Sequence, residues 1–342
     1  MGGANTIVEY SVSEMQNLLQ QFYFHKQPAR KNISISNVID KSGWECSVFS
    51  FTLNFVEDNI QRQENLLLKL YLDVRGAYKA IGEFYGMQQL AFAGYPVPTV
   101  LFLVLENSPF NGPFIIMEKV SGPLLLQALK LASPDQRREL IQLFCQLFVE
   151  LHTMDWYPFA IDPTHYQPQD FIPHMLSEQR ALIITHHKNS LFAPVLDWLD
   201  KRGQMVTCEN LSVIHWDYHP GNIILGEDGI PCVIDWTQIE ISDYRFDLAW
   251  TLLLVSTFGR PELREEVLRE YEDCRGHPVP HLDFFEVAIC LKRLLSMSIY
   301  QDCKVERAEQ HLHMHEQQMI SVQSALTLLQ SKTGIVLPDF LL

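Results

Sequence analysis

Apolar and polar residues alternate in the first third of the chain. From Val48 to Val56, every second residue is Phe or Leu, and Ser, Thr and Asn lie between them. A period of two is typical of a β-strand with one polar face. The apolar run Leu66–Leu72 follows a polar segment and predicts a second strand that pairs with the first. Apolar runs at Thr99–Leu105 and Phe114–Glu118 predict two more strands.

The second of these strands contains one charged residue, Lys69. If the turn of the hairpin is centred between Ile60 and Gln61, Lys69 lies opposite Thr52 and therefore on the polar face. A lysine on that face is expected to point into a cleft.

A helix is predicted from Gly76 to Phe92, because apolar residues recur there at helical spacing and Gly94 and two prolines follow. Glu83 is the only acidic residue within it. The apolar positions that define this spacing are Ala77, Ile81, Phe84, Tyr85 and Leu90.

The pattern breaks at Ser121-Gly122-Pro123, where we predict a hinge. Helical spacing dominates beyond it, notably after the cap Ser133-Pro134-Asp135 and across residues 169–206 and 260–330. The predicted fold class is α+β with two lobes. The predicted domains are a β-rich N-terminal lobe (residues 1–117), a hinge (118–122) and a mainly helical C-terminal lobe (123–342).

A short β-rich insert, residues 213–236, interrupts the helices and carries the densest polar motif. Asp228-Gly229 is a tight-turn signal, and a hairpin centred on it places Asn222 opposite Asp235. Cross-strand neighbours lie about 4.5–5.5 Å apart, so an amide oxygen and a carboxylate can bind one hard cation such as Mg²⁺. Asp217 lies on the loop that enters this hairpin, where a general base for phosphoryl transfer is expected.

Composition narrows the choice of partners. The 26 Lys and Arg against 41 Asp and Glu give a net charge of −15, which would repel a phosphate backbone, so nucleic acid is not an expected partner. Seven cysteines include no CxxC pair and fit reduced thiols in the cytoplasm. The longest apolar stretch is too short to span a bilayer, so no membrane association is expected.

The order of the motifs resembles the aminoglycoside phosphotransferase and choline kinase-like family of small-molecule kinases, which has a protein kinase-like fold. The resemblance covers most of the chain, although Trp216 stands where a small residue is usual before the aspartate. The matching motifs are His-x-Asp-x-x-x-x-Asn from His215, Ile-Asp-Trp from Ile234, Asp-Leu-Ala from Asp247, Glu83 ahead of Gly94, the hinge at Met117–Gly122, and Leu151-His152.

This resemblance implies an enzyme that moves the γ-phosphate of ATP, or of GTP, to a hydroxyl of a small molecule with the help of Mg²⁺. It implies that Asp217 accepts or orients the hydroxyl proton and that Asn222 and Asp235 hold Mg²⁺. Lys69, paired with Glu83, would contact the α- and β-phosphates. The resemblance also implies that the backbone of Glu118 and Val120 contacts adenine. Ser47, which follows a loop with a single glycine, would contact the phosphates. Asp247 and His215 would have scaffold roles.

The acceptor is expected to be an aminoglycoside, another antibiotic, a sugar or an amino-bearing alcohol. An acidic surface suits a cationic substrate, and Asp243, Glu272, Asp273 and Asp302 are the acids proposed to attract an amine.

Two other functions fit parts of the sequence. His215, Asp217 and His219 alternate and could instead be ligands of a metal-dependent hydrolase, but that reading leaves Lys69 and Glu83 without a role. A kinase-like protein that binds nucleotide without transferring phosphate is the alternative from another class. His311, His313 and His315 are expected to be exposed helix residues.

Overall fold

The computed structural model describes residues 10–41, 46–259, 261–302 and 312–337. These residues form two compact units. The first contains the described residues up to Gln127 together with Gly221–Ile239, and the second contains Ala128–Pro220 and the described residues from Glu240 onward. The β-rich insert, residues 213–236, is therefore divided between the two units, and its hairpin belongs to the first unit. The boundaries derived from the sequence stay a prediction.

The first unit is built on a five-stranded antiparallel sheet with the strand order β1-β2-β3-β5-β4. Its strands are β1 (Lys31–Asp40), β2 (Ser47–Glu57), β3 (Ile60–Leu70), β4 (Val100–Val104) and β5 (Phe114–Glu118). β1 was not predicted, and β2 and β3 extend into the segment predicted to be a turn.

The register predicted for the β2–β3 hairpin is wrong. The turn is formed by Asp58 and Asn59, both with positive φ (54° and 61°), as a two-residue type I′ turn requires. Lys69 therefore pairs with Val48 and not with Thr52. The predicted and the observed partner of Lys69 are separated by an even number of residues. Because side chains alternate with a period of two, Lys69 still lies on the same face as Thr52.

In the described part of the first unit, the sheet is accompanied by the helices α1 (Val12–Lys26) and α2 (Gly76–Phe92). Helix α1 begins with a capping box between Ser11 and Glu14. The bounds of α2 are those predicted, but the predicted apolar face is not the buried one, because Tyr85 is exposed and Glu83 is buried. The buried face consists of Gly76, Ala80, Glu83, Met87 and Leu90.

The second unit is mainly helical. Helix α4 starts at the predicted cap, where the Ser133 side chain accepts the backbone N–H of Gln136. The core of the second unit is formed by apolar side chains of α5, α6, α7, α9 and α10. The helices from the hinge onward are α3 (Leu125–Leu131), α4 (Pro134–Thr153), α5 (Pro168–Thr185), α6 (Asn189–Gly203), α7 (Tyr244–Phe258), α8 (Pro261–Arg275), α9 (Leu282–Asp302) and α10 (Leu312–Thr333).

Four short strands pair outside the main sheet. β6 (Ser212–Ile214) pairs with β9 (Glu240–Ser242) in the second unit, and β7 (Ile223–Leu225) pairs with β8 (Pro231–Val233) in the first. The predicted α+β class is confirmed, with a β-rich first unit and a helical second unit. None of the helices in the described ranges is long and apolar enough to cross a membrane.

Gly122 allows the segment after β5 to lie against the β7–β8 hairpin. Its φ is +149°, and a Cβ there would lie 2.0 Å from the carbonyl oxygen of Leu225.

We expect Gly122→Ala to destabilise the protein by about 1–3 kcal/mol through backbone strain. The matched control is Gly82→Ala in α2, where a Cβ meets nothing within 4 Å and helix propensity predicts a gain of about 0.5–1 kcal/mol. Urea unfolding of both variants checks this, and equal effects would contradict it.

Candidate active site

A buried lysine lies at the centre of the polar residues in the first unit. Lys69 donates hydrogen bonds from Nζ to Oε1 of Glu83 (2.9 Å) and to Oδ1 of Asp235 (2.8 Å). Burial alone would lower the pKa of Lys69, but the two carboxylates raise it above its ordinary value. Lys69 is therefore a fixed cation, and the pairing of Lys69 with Glu83 predicted from the sequence is present in the structure.

Tyr71 and Thr237 complete this cluster, and the sequence did not indicate either of them. The Tyr71 hydroxyl donates to Oε2 of Glu83 (2.5 Å), so both oxygens of that buried carboxylate have a donor. Thr237 accepts a hydrogen bond from Lys69 (2.6 Å) and donates one to Oδ1 of Asp235 (2.7 Å). The position of Tyr71 two residues after Lys69 was an available signal, because alternate residues of an extended segment share a face. Thr237 had no such signal.

The predicted pairing of Asn222 with Asp235 is wrong by one residue. The hairpin closes through a hydrogen bond from Gly226 N–H to the Ile230 carbonyl, which leaves a three-residue loop in which Gly229 has φ +81°. Asn222 is therefore opposite Ile234, whose N–H donates to the Asn222 carbonyl (2.9 Å). A three-residue loop with a left-handed residue at its end replaces the two-residue turn expected from Asp-Gly.

Asp235 follows β8 with a left-handed backbone conformation, φ +66°. This conformation ends the strand alternation, so the direction of the Asp235 side chain cannot be derived from strand register. Its side chain is 48% exposed, although Oδ1 is bonded to Lys69. Asn222 is buried in the same unit.

The other residues predicted to contact nucleotide also lie in the first unit. Ser47 is the first residue of β2 and pairs with Leu70. Glu118 is the last residue of β5, and its backbone N–H donates to the Thr99 carbonyl (2.8 Å). Val120 lies two residues further along the chain and is half-buried. Residues 42–45 of the predicted phosphate-covering loop lie outside the described residues.

A single buried carboxylate in the second unit holds the segment that leads to Asp217. Asp247 accepts hydrogen bonds from the backbone N–H groups of His215 (2.7 Å) and Trp216 (2.9 Å), and its Oδ2 lies 3.2 Å from Nε2 of His152. His152 is in turn bonded through Nδ1 to the Tyr271 hydroxyl (2.8 Å). The scaffold role that the family resemblance gave to Asp247 is consistent with these contacts.

Asp217 itself is accessible, with 37% of its side chain exposed. Its carboxylate lies 3.6 Å from Nε2 of His219. Its backbone N–H donates to Nδ1 of His215 (3.2 Å), and His215 is fully buried. The loop thus places one carboxylate where a small molecule can reach it and holds the backbone around it.

The structure gives no support to a hydrolase site at these histidines. The alternation of His215, Asp217 and His219 presumed a strand, but β6 ends at Ile214 and Trp216 has φ +64°. In the part of the chain that the structure describes, no group of three His, Cys, Asp or Glu side chains is arranged to hold a metal ion. His311 and the side chains of His313 and His315 lie outside the described residues.

The acids proposed to attract an amine do not form one group. Asp243 is buried, caps α7 and pairs with the Arg245 guanidinium (2.6 Å), so that assignment is wrong. Glu272 accepts the backbone N–H of Val279 (2.8 Å). Asp273 lines a separate depression beside α4, and the side chain of Asp302 is outside the described residues.

Comparison with known proteins agrees with the resemblance seen in the sequence. Residues 49–282, more than half of the chain, match the model of the phosphotransferase enzyme family, and the chain belongs to this family. A curated mouse relative, acyl-CoA dehydrogenase family member 10, is 25% identical over 259 residues. That match covers 67% of this chain but 24% of the relative, so the chain spans about a quarter of the relative's length.

Solved structures of aminoglycoside phosphotransferases share the fold. A thermostable mutant of APH(4)-Ia in its apo form has a TM-score of 0.62 and 18% identity, covering 92% of this chain and 100% of that one. A ternary complex of a thermostable APH(4)-Ia mutant with ADP and hygromycin B has the same TM-score and identity, with coverages of 93% and 99%. The GDP complex of aminoglycoside 2'-phosphotransferase-IIIa has a TM-score of 0.57 and 15% identity, with coverages of 93% and 98%. The predicted kinase-like fold is confirmed.

The His152–Asp247 contact predicts a pH dependence of stability. Burial lowers the pKa of His152, an effect that the bond to Asp247 offsets only in part. The unfolded chain then binds a proton more readily than the folded one, so stability is complete above the unfolded pKa of about 6.5 and falls as the pH drops below it, by at most about 1.4 kcal/mol per pH unit. Urea unfolding between pH 8 and pH 5 should show a smaller loss for His152→Gln than for the wild type. Parallel curves for the two proteins would contradict the assignment.

Proposed function

We propose that this member of the phosphotransferase enzyme family transfers the γ-phosphate of ATP, or of GTP, to a hydroxyl group of a small molecule. The observation that carries the proposal is the buried Lys69 cation held between Glu83 and Asp235. Phosphoryl transfer needs little covalent help from the protein, and depends on positioned phosphates, neutralised charge and an oriented nucleophile. Each of these requirements has a candidate residue among those described.

Lys69 is the candidate for neutralising phosphate charge. Its ammonium group has a fixed direction because Glu83 is itself held by the Tyr71 hydroxyl. A cation that is held in advance loses little freedom when a phosphate binds. Ser47 and the backbone of Glu118 and Val120 are proposed to contact the phosphates and the adenine, as the resemblance implies.

Asn222 and Asp235 are the candidates for holding Mg²⁺. An amide oxygen and a carboxylate are ligands that suit this hard cation, and the exposed part of Asp235 leaves its carboxylate accessible. The fixed charges of Lys69, Glu83 and Asp235 sum to −1, which favours a cation beside them. When bound, Mg²⁺ supplies charge neutralisation to the phosphates.

Asp217 is the candidate general base. Its accessible carboxylate would accept the proton of the acceptor hydroxyl as the oxygen attacks the γ-phosphorus. The bond between that phosphorus and the bridging oxygen of the β-phosphate breaks, and ADP leaves. The Asp247 anchor fixes the preceding residues, so Asp217 would be positioned before the substrate arrives.

The acceptor cannot be taken from the structural neighbours. The hygromycin B complex describes APH(4)-Ia, and at 18% identity the likeness concerns the fold. An acceptor of the aminoglycoside type stays a prediction from the sequence.

A screen of nucleotide turnover tests the proposal. Release of ADP or GDP is measured with Mg²⁺ against aminoglycosides, amino alcohols, hydroxy acids and sugars. For the active acceptor, Asp217→Asn should lower kcat by about 10²- to 10⁴-fold while the affinity for ATP stays within about threefold.

The matched control is Asp135→Asn, which changes an exposed acid in the first turn of α4 and should keep full activity. Full turnover by Asp217→Asn would refute the role of Asp217. Tight ATP binding without acceptor-dependent turnover in any class would instead favour a nucleotide-binding protein without transferase activity.

A further inference from the structure

The second unit contains a cavity of about 470 Å³, within the range that small-molecule sites occupy. It lies beside Trp216, the residue immediately before Asp217, and the aromatic rings of Phe171 and Phe246 also line it. The ring centroids of Trp216 and Phe246 are 6.1 Å apart, as are those of Phe171 and Phe246. Under the proposed function, this cavity is the natural place for the acceptor.

Among the residues that the structure describes, Lys292 of α9 is the only lysine or arginine that lines this cavity. Its Nζ lies 3.2 Å from the ring centroid of Trp216, and the Trp216 indole N–H donates to Glu240. A cation over the face of an indole is attracted by the ring, and the ring limits the directions in which the lysine can point. Trp216, unusual before the catalytic aspartate in sequences of this kind, thus supports a cation in the acceptor cavity.

This cation has no carboxylate partner within 4.0 Å among the described residues, although its side chain is open to the cavity. Desolvation lowers the pKa of Lys292 to about 8, against the opposing effect of Glu240 and Asp247. Lys292 is still mostly protonated at pH 7. An anion bound beside it would form a charge-assisted hydrogen bond.

The acids of the cavity are compensated in other ways. Glu178 lies 3.3 Å from His174 on the same helix, and Glu240 accepts the Trp216 indole N–H. Asp170 lies in the first turn of α5, where the helix dipole favours a negative charge. Lys292 is therefore the candidate for binding an anionic group of a ligand in this cavity.

We propose that Lys292 binds a carboxylate of the acceptor, so that the substrate is a hydroxy acid. This inference rests on the proposed phosphotransferase function and names its substrate class. One lysine balances one negative charge, whereas a phosphate dianion would leave a second charge facing Asp170, Glu178 and Glu240. A polycationic aminoglycoside would bring further positive charge towards Lys292, whereas a carboxylate would pair with it.

Calorimetric binding to the full chain tests the inference without relying on turnover. The probes are alcohols matched in length: 6-hydroxyhexanoate, 6-amino-1-hexanol and 1,6-hexanediol, with the four- and eight-carbon equivalents. We expect a hydroxy acid to bind at least about tenfold more tightly than its amine and diol counterparts, since a charge-assisted pair contributes about 1.5–3 kcal/mol.

Three variants separate charge from packing. Lys292→Met should remove the preference for the acid at least tenfold while leaving the diol affinity unchanged. Lys292→Arg should keep most of the preference, because it retains the cation. Lys201→Met, on the exposed surface of α6, is the matched control and should behave like the wild type.

The outcomes separate this inference from the proposed function. Amines bound as tightly as acids, no preference at any chain length, or an acid preference retained in Lys292→Met would each overturn the assignment of Lys292. Acid binding that depends on Lys292 but never leads to ATP-dependent phosphorylation would support a carboxylate site and count against the transferase. Phosphorylation of amino alcohols alone would support the transferase and count against the carboxylate site at Lys292.

Discussion

A buried ammonium group between two carboxylates is the interaction on which the first unit depends. Lys69 is almost inaccessible, and an isolated charge in that position would cost several kcal/mol. Glu83 and Asp235 offset this cost, and they come from different parts of the unit. Glu83 lies in α2, and Asp235 lies in the loop after β8. The β3 strand, α2 and the β7–β8 hairpin are thereby held to one arrangement, in which the lysine is charged and has a fixed direction.

The second unit uses the same principle with the signs exchanged. The buried carboxylate of Asp247 is satisfied by two backbone N–H groups and by His152, and the lowered pKa of His152 keeps that imidazole neutral near pH 7. A neutral imidazole that donates from Nε2 can accept the Tyr271 hydroxyl at Nδ1, so every member of the network has a partner. The backbone at His215 and Trp216 is thus fixed by buried groups.

Strong local signals predicted the parts of the fold that depend on nearby residues. The bounds of α2 were correct because Gly94 and the prolines after it end a regular pattern, and the cap at Ser133 was correct because its motif is local. Registers were predicted less well. The β2–β3 turn depends on two left-handed residues, Asp58 and Asn59, and one extra loop residue moved Asn222 out of register with Asp235.

Residues whose role depends on distant elements were missed or misassigned. Thr237 reaches Lys69 across 168 positions of sequence, and Lys292 meets Trp216 only when α9 packs beside the loop that follows β6. Asp243 appeared to be an available acid, because nothing in the sequence showed that it would be buried against Arg245. Net charge did not indicate the lysine in this cavity either, since the whole chain is acidic.

We propose that Lys69 and Asp235 form the phosphate and Mg²⁺ end of a nucleotide site. Calorimetry of ATP binding, with Mg²⁺ and after its removal with EDTA, tests this most directly in the wild type, Lys69→Met and Asp235→Asn. The account predicts that Lys69→Met weakens ATP binding at least about tenfold under both conditions, as the loss of a charged hydrogen bond requires. It also predicts that Asp235→Asn abolishes the gain in affinity that Mg²⁺ gives the wild type. Unchanged ATP affinity in Lys69→Met, or a full Mg²⁺ effect in Asp235→Asn, would contradict it.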